Sequence, residues 1–398
     1  MQDQLRKLEK NIGYYYIIQF LMVAATTIPH AILTLLLLSK GILINQIAII
    51  QLFYNVAVLI FELPSGIMAD NFSRKNIFIS STICLFVAFS MILVFDSLYV
   101  LCMAWFIYGL SMALNTGTLD SDMINSIKAY KGSYYQRFYK NCSYISLLAS
   151  ILASGLGFVL YKRIGVNIYI VSLNLMIIAI VITIFLYKEF DIKTDKSINI
   201  EKLKEHISMA LREINNNKIV KYTIISLSFL QIYMQFHFHY WQAIFLENGI
   251  NSSYFYFIYL TFQMINILVF RINLEVFSFR KLKIIFSFEI LILVYQIFNK
   301  SNIVYIISYF VVLLYFLLVS YLCNYLLNKN VLKERISSIV SFNSTVQRIV
   351  AALSLLVYSI ILKFFNLKIL YIAIAIMILV IEFVCINNIL KVRSNKQS

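Results

Sequence analysis

Four ionisable side chains sit inside long apolar runs, where charge is costly: Glu62, Glu289, Arg348 and Glu382. A carboxyl group removed from water holds its proton more readily, so Glu62 or Glu289 can load and release a proton near neutrality. Arg348 offers the opposite charge, as a counter-ion for Glu62 or for an anionic substrate. Glu382, near the inner end of the last run, is expected to reach the interface by snorkelling. A second set is the polar-aromatic run Tyr233, Gln235, His237, His239, Tyr240, Trp241 and Gln242, joined by Gln19, Thr26, Thr27 and His30 near the start of the chain. Rings and amides in this mixture can stack against and hydrogen-bond an aromatic or amphipathic solute. His237 and His239 are two apart and share no helix face, which argues against a metal pair.

A third set is a short charged turn. Residues 62–75 run Glu-Leu-Pro-Ser-Gly-Ile-Met-Ala-Asp-Asn-Phe-Ser-Arg-Lys between two apolar stretches. Asp70 stands at a helix C-terminus, where the macrodipole disfavours an anion, so it needs a partner elsewhere. Glu62 lies eight residues earlier, about 12 Å deeper along the helix.

The elements that carry these residues are set by composition. The chain is 61% hydrophobic and 13% charged, too little polar surface for a soluble protein of 398 residues. The apolar residues come in repeated blocks of helical-span length, which excludes the short alternating strands of a barrel. Twelve spans are expected near 12–38, 44–69, 76–95, 98–120, 139–160, 166–187, 219–245, 253–272, 284–298, 303–327, 338–362 and 367–389. The first is too long for a cleavable signal and reads as a retained helix. With the N-terminus inside, only Lys40, Lys162, Arg163, Lys300, Lys363 and Lys368 fall at outer ends. The other Lys and Arg, apart from Arg348 within a span, fall inside. The net charge of +16 therefore reports topology and contact with anionic inner-leaflet lipid, not nucleic acid. The five cysteines are scattered through apolar segments, which predicts neither disulfides nor a metal site.

The expected organisation is a six-helix bundle at 1–190, a cytoplasmic linker at 191–218 and a second six-helix bundle at 219–398. In the linker, Ile200, Leu203, Ile207, Leu211 and Ile214 recur at helical spacing, as in an amphipathic helix on the inner membrane surface or a packed linker helix. High Ile, Asn, Lys, Phe and Tyr content fits an AT-rich bacterial genome, so the expected location is the bacterial plasma (inner) membrane, with both termini cytoplasmic.

The charged turn resembles the loop between helices 2 and 3 of the major facilitator superfamily, Gly-x-Leu-Ala-Asp-Arg-x-Gly-Arg-Lys. Gly66, Ala69, Asp70, Arg74 and Lys75 match it, Met68 is conservative, and Asn71 and Ser73 depart from it. The segment from Asn115 to Asp122 resembles the end of helix 4 in drug-efflux members, and the segment from Lys333 to Ser338 resembles the start of their helix 11. The second-half counterpart of the loop is degenerate, with Glu275 before Arg280 and Lys281. The resemblance implies an all-α membrane fold with twelve helices in two bundles. It also implies an inner-side latch of Gly66, Asp70, Arg74, Lys75, Asp122 and Arg335, in which Asp70 faces the start of helix 11 and Arg74 pairs with Asp122. Trp105, four residues before Gly109, stands where proton-coupled drug antiporters often carry Arg, and it joins the cavity candidates. The helix 5 stretch Ser154-Gly155-Leu156-Gly157 lacks the Gly-Pro of the antiporter motif.

The function expected is alternating-access export of a small amphipathic organic compound, a drug or natural product, driven by protons. The expected partners are that solute, protons and membrane lipids, acting on a monomer. Import or exchange of a nutrient such as a sugar or peptide stays open, as does a non-transporting sensor or assembly partner. No Gly-rich nucleotide loop, His-Glu-x-x-His or nucleophile elbow is present, so neither an enzyme nor a cofactor is expected.

Overall fold

A computed structural model describes residues 2–190, 213–274, 279–298, 301–331 and 336–394. Among the described residues the chain is helical, with no strand. It divides into two compact units, Met1–Ile198 and Asn199–Ser398. Most of the expected linker, 191–212, and with it most of the expected amphipathic helix, lies outside the described residues.

The first unit holds α1 (Gln2–His30), α2 (Leu33–Ser39), α3 (Ile44–Asn71), α4 (Arg74–Val94), α5 (Leu98–Asn115), α6 (Leu119–Tyr130), α7 (Tyr135–Ile164) and α8 (Ile168–Phe185). The second holds α9 (Lys218–Glu247), α10 (Phe255–Phe270), α11 (Phe279–Phe298), α12 (Asn302–Asn330), α13 (Ile336–Ile361) and α14 (Leu367–Ser394). Nine helical stretches among the described residues are long and apolar enough to cross a membrane. One of them, Gly132–Phe185, folds as α7 followed by α8. The α11 helix adds the shorter apolar stretch Ile284–Phe298. The α9 helix is 30 residues long, but its Gln and His residues dilute its hydropathy.

Two expected spans are broken, each for a local reason. Pro29 has no N–H and crowds the preceding turn, so α1 ends at His30 and the chain restarts as α2. The fourth span, expected to run to residue 120, ends at Asn115, because Gly117 adopts φ +77° and turns the chain. Asp120 and Asp122 then fall in the first turn of α6, an N-terminus where acids are favoured. They do not sit at the C-terminal end of the fourth span, as the sequence suggested.

Packing differs between the units. In the first, α5 lies against α3 at Gly109, where a Cβ would collide with the Tyr54 carbonyl oxygen and stand 2.8 Å from the Ala57 Cβ. Gly157 does the same for α7 against the Ile28 carbonyl of α1. Small residues let backbones approach this closely. The second unit has one glycine, Gly249, in the turn after α9. Its helices are held apart by large rings instead, with Tyr309 stacked on Tyr371 at 4.8 Å and Tyr233 tilted against Phe316 at 4.2 Å.

Gly109→Val should cost about 1–3 kcal/mol through overpacking. The check is thermal unfolding of the detergent-purified protein, with Gly13→Ala as control, since a Cβ at Gly13 meets nothing within 4 Å. An unshifted melting temperature in the Val variant would mean that α3 and α5 are not in contact there.

Candidate functional site

One polar constellation gathers at the end of the first unit where α4 begins. Ser73 caps α4, its hydroxyl accepting from the Asn76 N–H at 3.2 Å. The carboxylate of Glu189, just past α8, accepts from the Ser73 hydroxyl and from the Arg74 backbone N–H, the latter at 2.5 Å. An anion at a helix N-terminus is favoured by the free amides and by the macrodipole. Lys75 donates to the carbonyls of Ile184 and Tyr187, each at 2.8 Å, and so occupies acceptors left free at the end of α8. Asp122, 2% exposed, accepts a 2.6 Å hydrogen bond from Tyr187, and the charge of Arg74 also acts on it. Tyr15 donates to Asp120 at 2.5 Å. The latch residues Arg74, Lys75 and Asp122 thus meet around the segment Tyr187–Glu189, at and just past the end of the sixth expected span. Gly66 lies in α3, half-buried and with open space around it. The Asp70 side chain and Arg335 lie outside the described residues.

A second constellation occupies the second unit. His237 of α9, 4% exposed, shares a 2.8 Å hydrogen bond with the Tyr309 hydroxyl of α12. It lines a cavity of about 110 Å³ with Trp241, Tyr259, Gln263 and Asn266. A larger cavity of about 490 Å³ adjoins it between α10 and α12, walled by Asn266, Ser320, Tyr321, Asn324, Tyr325 and Asn328 among others. The two share Asn266 and Leu317, and among the described residues no charged side chain lines either. The remaining candidates on α9 are placed differently. Tyr233 and Gln242 are buried at 0% and 1% exposure, and the carbonyl of half-buried Gln235 shares a 3.0 Å hydrogen bond with His239.

In the first unit, Gln19 ties α1 to α7 by donating to Ser146 at 2.8 Å and to the Cys142 carbonyl at 3.2 Å. Trp105 is 1% exposed, His30 packs 5.4 Å from the Tyr108 ring, and Thr27 is half-buried. Glu62 is half-buried in α3, and its carbonyl accepts from Ser65 at 3.0 Å. Arg348 is half-buried on α13, next to Gln347, which accepts from Gln231 of α9 at 2.8 Å.

Two acids of the second unit, Glu289 and Glu382, are buried near Tyr315. Glu289 on α11 is 0% exposed, and among the described residues neither of its carboxylate oxygens has a hydrogen-bond partner. Glu382 on α14 is also 0% exposed, not at the interface as expected from snorkelling. One of its oxygens accepts from Ser226 of α9 at 2.5 Å, and the other has no partner among the described residues. Phe286 and Phe383 stack at 4.5 Å, which sets the two acids within about a helical turn of the same level. Tyr315 of α12, 1% exposed, lies near both, and its hydroxyl has no partner among the described residues. Neither carboxylate is hydrogen-bonded to a base among the described residues. Two bare anions cannot persist in such a place. The sequence did offer a signal for Glu382, an acid nine residues before Lys391 and the one charged residue between Lys368 and Lys391 in α14.

A model of the Major Facilitator Superfamily matches residues 15–355. No curated protein matches the chain in sequence. Solved structures share its fold. The nucleoside transporter NupG aligns with a TM-score of 0.76 at 12% identity, over 95% of this chain and 98% of that one. The POT family transporter PepTSo aligns with a TM-score of 0.71 at 14% identity, over 98% of each chain. A bacterial homolog to the human lysosomal transporter Spinster, inward-facing and unoccupied, aligns with a TM-score of 0.66 at 11% identity, over 97% of this chain and 98% of that one. Identities this low establish the fold and leave the substrate open.

Tyr187→Phe removes the hydrogen bond from the tyrosine hydroxyl to buried Asp122, a loss of about 1–3 kcal/mol. The expected result is a lower melting temperature for the purified variant. Melting equal to the parent would show that water replaces the tyrosine hydroxyl.

Proposed function

The chain belongs to the major facilitator superfamily, and we propose that it exports a small amphipathic organic compound by alternating access, driven by protons. The family makes it a multi-pass membrane transporter. The observation that carries the substrate class is the uncharged cleft of the second unit. Rings of Trp241, Tyr259 and Phe262 supply stacking surface, while Gln263, Asn266 and Asn324 supply amide hydrogen bonds. Such walls select planar or amphipathic solutes over strongly charged ones. Export is supported by the similarity of residues 115–122 and 333–338 to drug-efflux members.

Proton coupling is supported by Glu289, whose buried carboxyl has neither base nor hydrogen-bond donor among the described residues. Glu62 and Arg348 are the other coupling candidates. Loading and unloading a proton needs a group that is neutral when sealed from water and ionised when wetted, and Glu289 with Glu382 has that character. The latch assigned to Gly66, Asp70, Arg74, Lys75, Asp122 and Arg335 is part of the same proposal, as are a bacterial plasma-membrane location with both termini cytoplasmic and a monomeric protein. The alternative of nutrient import or exchange is favoured by the printed descriptions of the structural neighbours, a nucleoside transporter and a peptide transporter.

Three measurements test the proposal. Proteoliposomes given a pH gradient should move fluorescent amphipathic compounds, neutral ones included; nutrient uptake with no flux of several such chemotypes would falsify export. Glu289→Gln should lose at least tenfold in gradient-driven accumulation while keeping solute exchange, and an unchanged gradient-driven rate would remove Glu289 from the coupling. Asp70→Asn and Arg74→Ala should each shift the labelling of inner-side cysteines, and unshifted labelling would exclude the latch.

A further inference from the structure

A cavity of about 450 Å³ opens at the end of the first unit, between the start of α1 and the end of α8. Among the described residues its lining carries four bases, Arg6, Lys7, Lys10 and Lys188, against one acid, Asp3. The nearest other carboxylates along the described chain, Glu9 and Glu189, are engaged elsewhere: Glu9 pairs with Lys131 at 2.8 Å, and Glu189 accepts from Ser73 and the Arg74 N–H. The positive charge of the cavity is therefore left largely uncompensated by the lining.

The polarity of the walls is graded. On α1, Arg6, Lys10 and Tyr14 follow one another four residues apart and so lie along one helix face. The opposite wall runs from Lys188 through Leu186 to Phe185, which are apolar and exposed at 44% and 73%. Both walls pass from cationic to aromatic or apolar in the direction of the spans. The floor is fixed: Asn11, 1% exposed, donates to the Lys188 carbonyl at 2.7 Å and accepts from the Lys188 N–H at 3.2 Å. Lys7 donates to the Glu189 carbonyl at 2.8 Å and lies 4.1 Å over the Phe190 ring.

We propose that this cavity is a binding site for one anionic phospholipid of the inner leaflet. The phosphate-bearing headgroup sits among Arg6, Lys10 and Lys188, the Tyr14 ring lies at the glycerol level, and an acyl chain lies along Leu186 and Phe185. Basic pockets beside spans attract anionic headgroups, and aromatic rings favour the headgroup level. The wall of exposed apolar residues distinguishes a lipid from free phosphate, which would have no use for it. The inference rests on the proposed orientation, with this end of the unit at the inner leaflet, and does not depend on any transported solute.

The test uses the full-length protein in detergent with added dioleoyl phosphatidylglycerol or dioleoyl phosphatidylcholine. Native mass spectrometry reads retained lipid, and thermal unfolding reads stabilisation. The parent should retain phosphatidylglycerol in preference to phosphatidylcholine. The triple variant Arg6→Ala, Lys10→Ala, Lys188→Ala should lose at least tenfold of that retention and most of the thermal shift. These three side chains are exposed, so the variant should melt like the parent in phosphatidylcholine. If it fails to fold, Phe185→Ser with the bases intact gives the same reading, because it should weaken phosphatidylglycerol retention. Equal retention of the two lipids, or phosphatidylglycerol retention unchanged in both variants, would overturn the proposal. So would inorganic phosphate stabilising the parent as strongly as the lipid, which would make this a free-phosphate site. Because the readout needs no transport, an inactive protein with a working lipid site points to failure of the export proposal alone.

Discussion

A backbone amide or carbonyl left without a partner in hydrocarbon costs several kcal/mol, and this requirement governs where the chain can bend. Each interruption in the first unit is closed by nearby groups. At the break after Pro29, the Ala31 and Ile32 amides donate to the carbonyls of Thr27 and Pro29 at 3.0 and 3.3 Å. At the turn into α4, Ser73 and Glu189 receive free N–H groups, while Lys75 donates to carbonyls at and just past the end of α8. Residues that resemble a family motif are thus also the ones that let two helix ends be formed side by side. Arg74 and Lys75 complete the helices that they join, Arg74 through its backbone N–H and Lys75 through its ammonium group.

Helix positions were legible in the sequence because hydropathy is a long-range average that one residue rarely overturns. The breaks were less legible, since they depend on single residues. Pro29 was visible, but its effect depends on whether the surroundings let the chain restart. Gly117 was visible too, but only its positive φ reveals that Asp120 and Asp122 start a new helix. The Asp70, Arg74 and Lys75 pattern could be read because the motif is local. Tyr187 and Glu189 could not, because their partners lie 65 to 116 residues away and nothing in the sequence marks the pairing. Glu382 shows the opposite failure: the general rule that long side chains reach the interface was overridden by a specific donor, Ser226.

The two units solve helix packing by different means. In the first, glycines bring backbones together, and contact is made by main-chain atoms that cannot be exchanged for others. In the second, rings set the spacing, and spaces remain between them, including the cleft between α10 and α12. Large rings with two or more rotatable bonds can repack around a new shape more readily than a glycine contact can widen. A solute-handling surface is better placed in a region of the second kind.

Asn11 and Lys188 are joined by a two-way hydrogen bond across 177 residues of chain. This clasp links the first helix of the unit to the segment that follows its last helix. During synthesis nothing can close it until residue 188 has left the ribosome, because domains emerge N-terminal part first. The late-emerging segment also brings Tyr187 and Glu189, the partners of Asp122 and Arg74. The polar end of the first unit is therefore completed only when Tyr187, Lys188 and Glu189 arrive, and truncated chains ending before Tyr187 lack the groups that finish it.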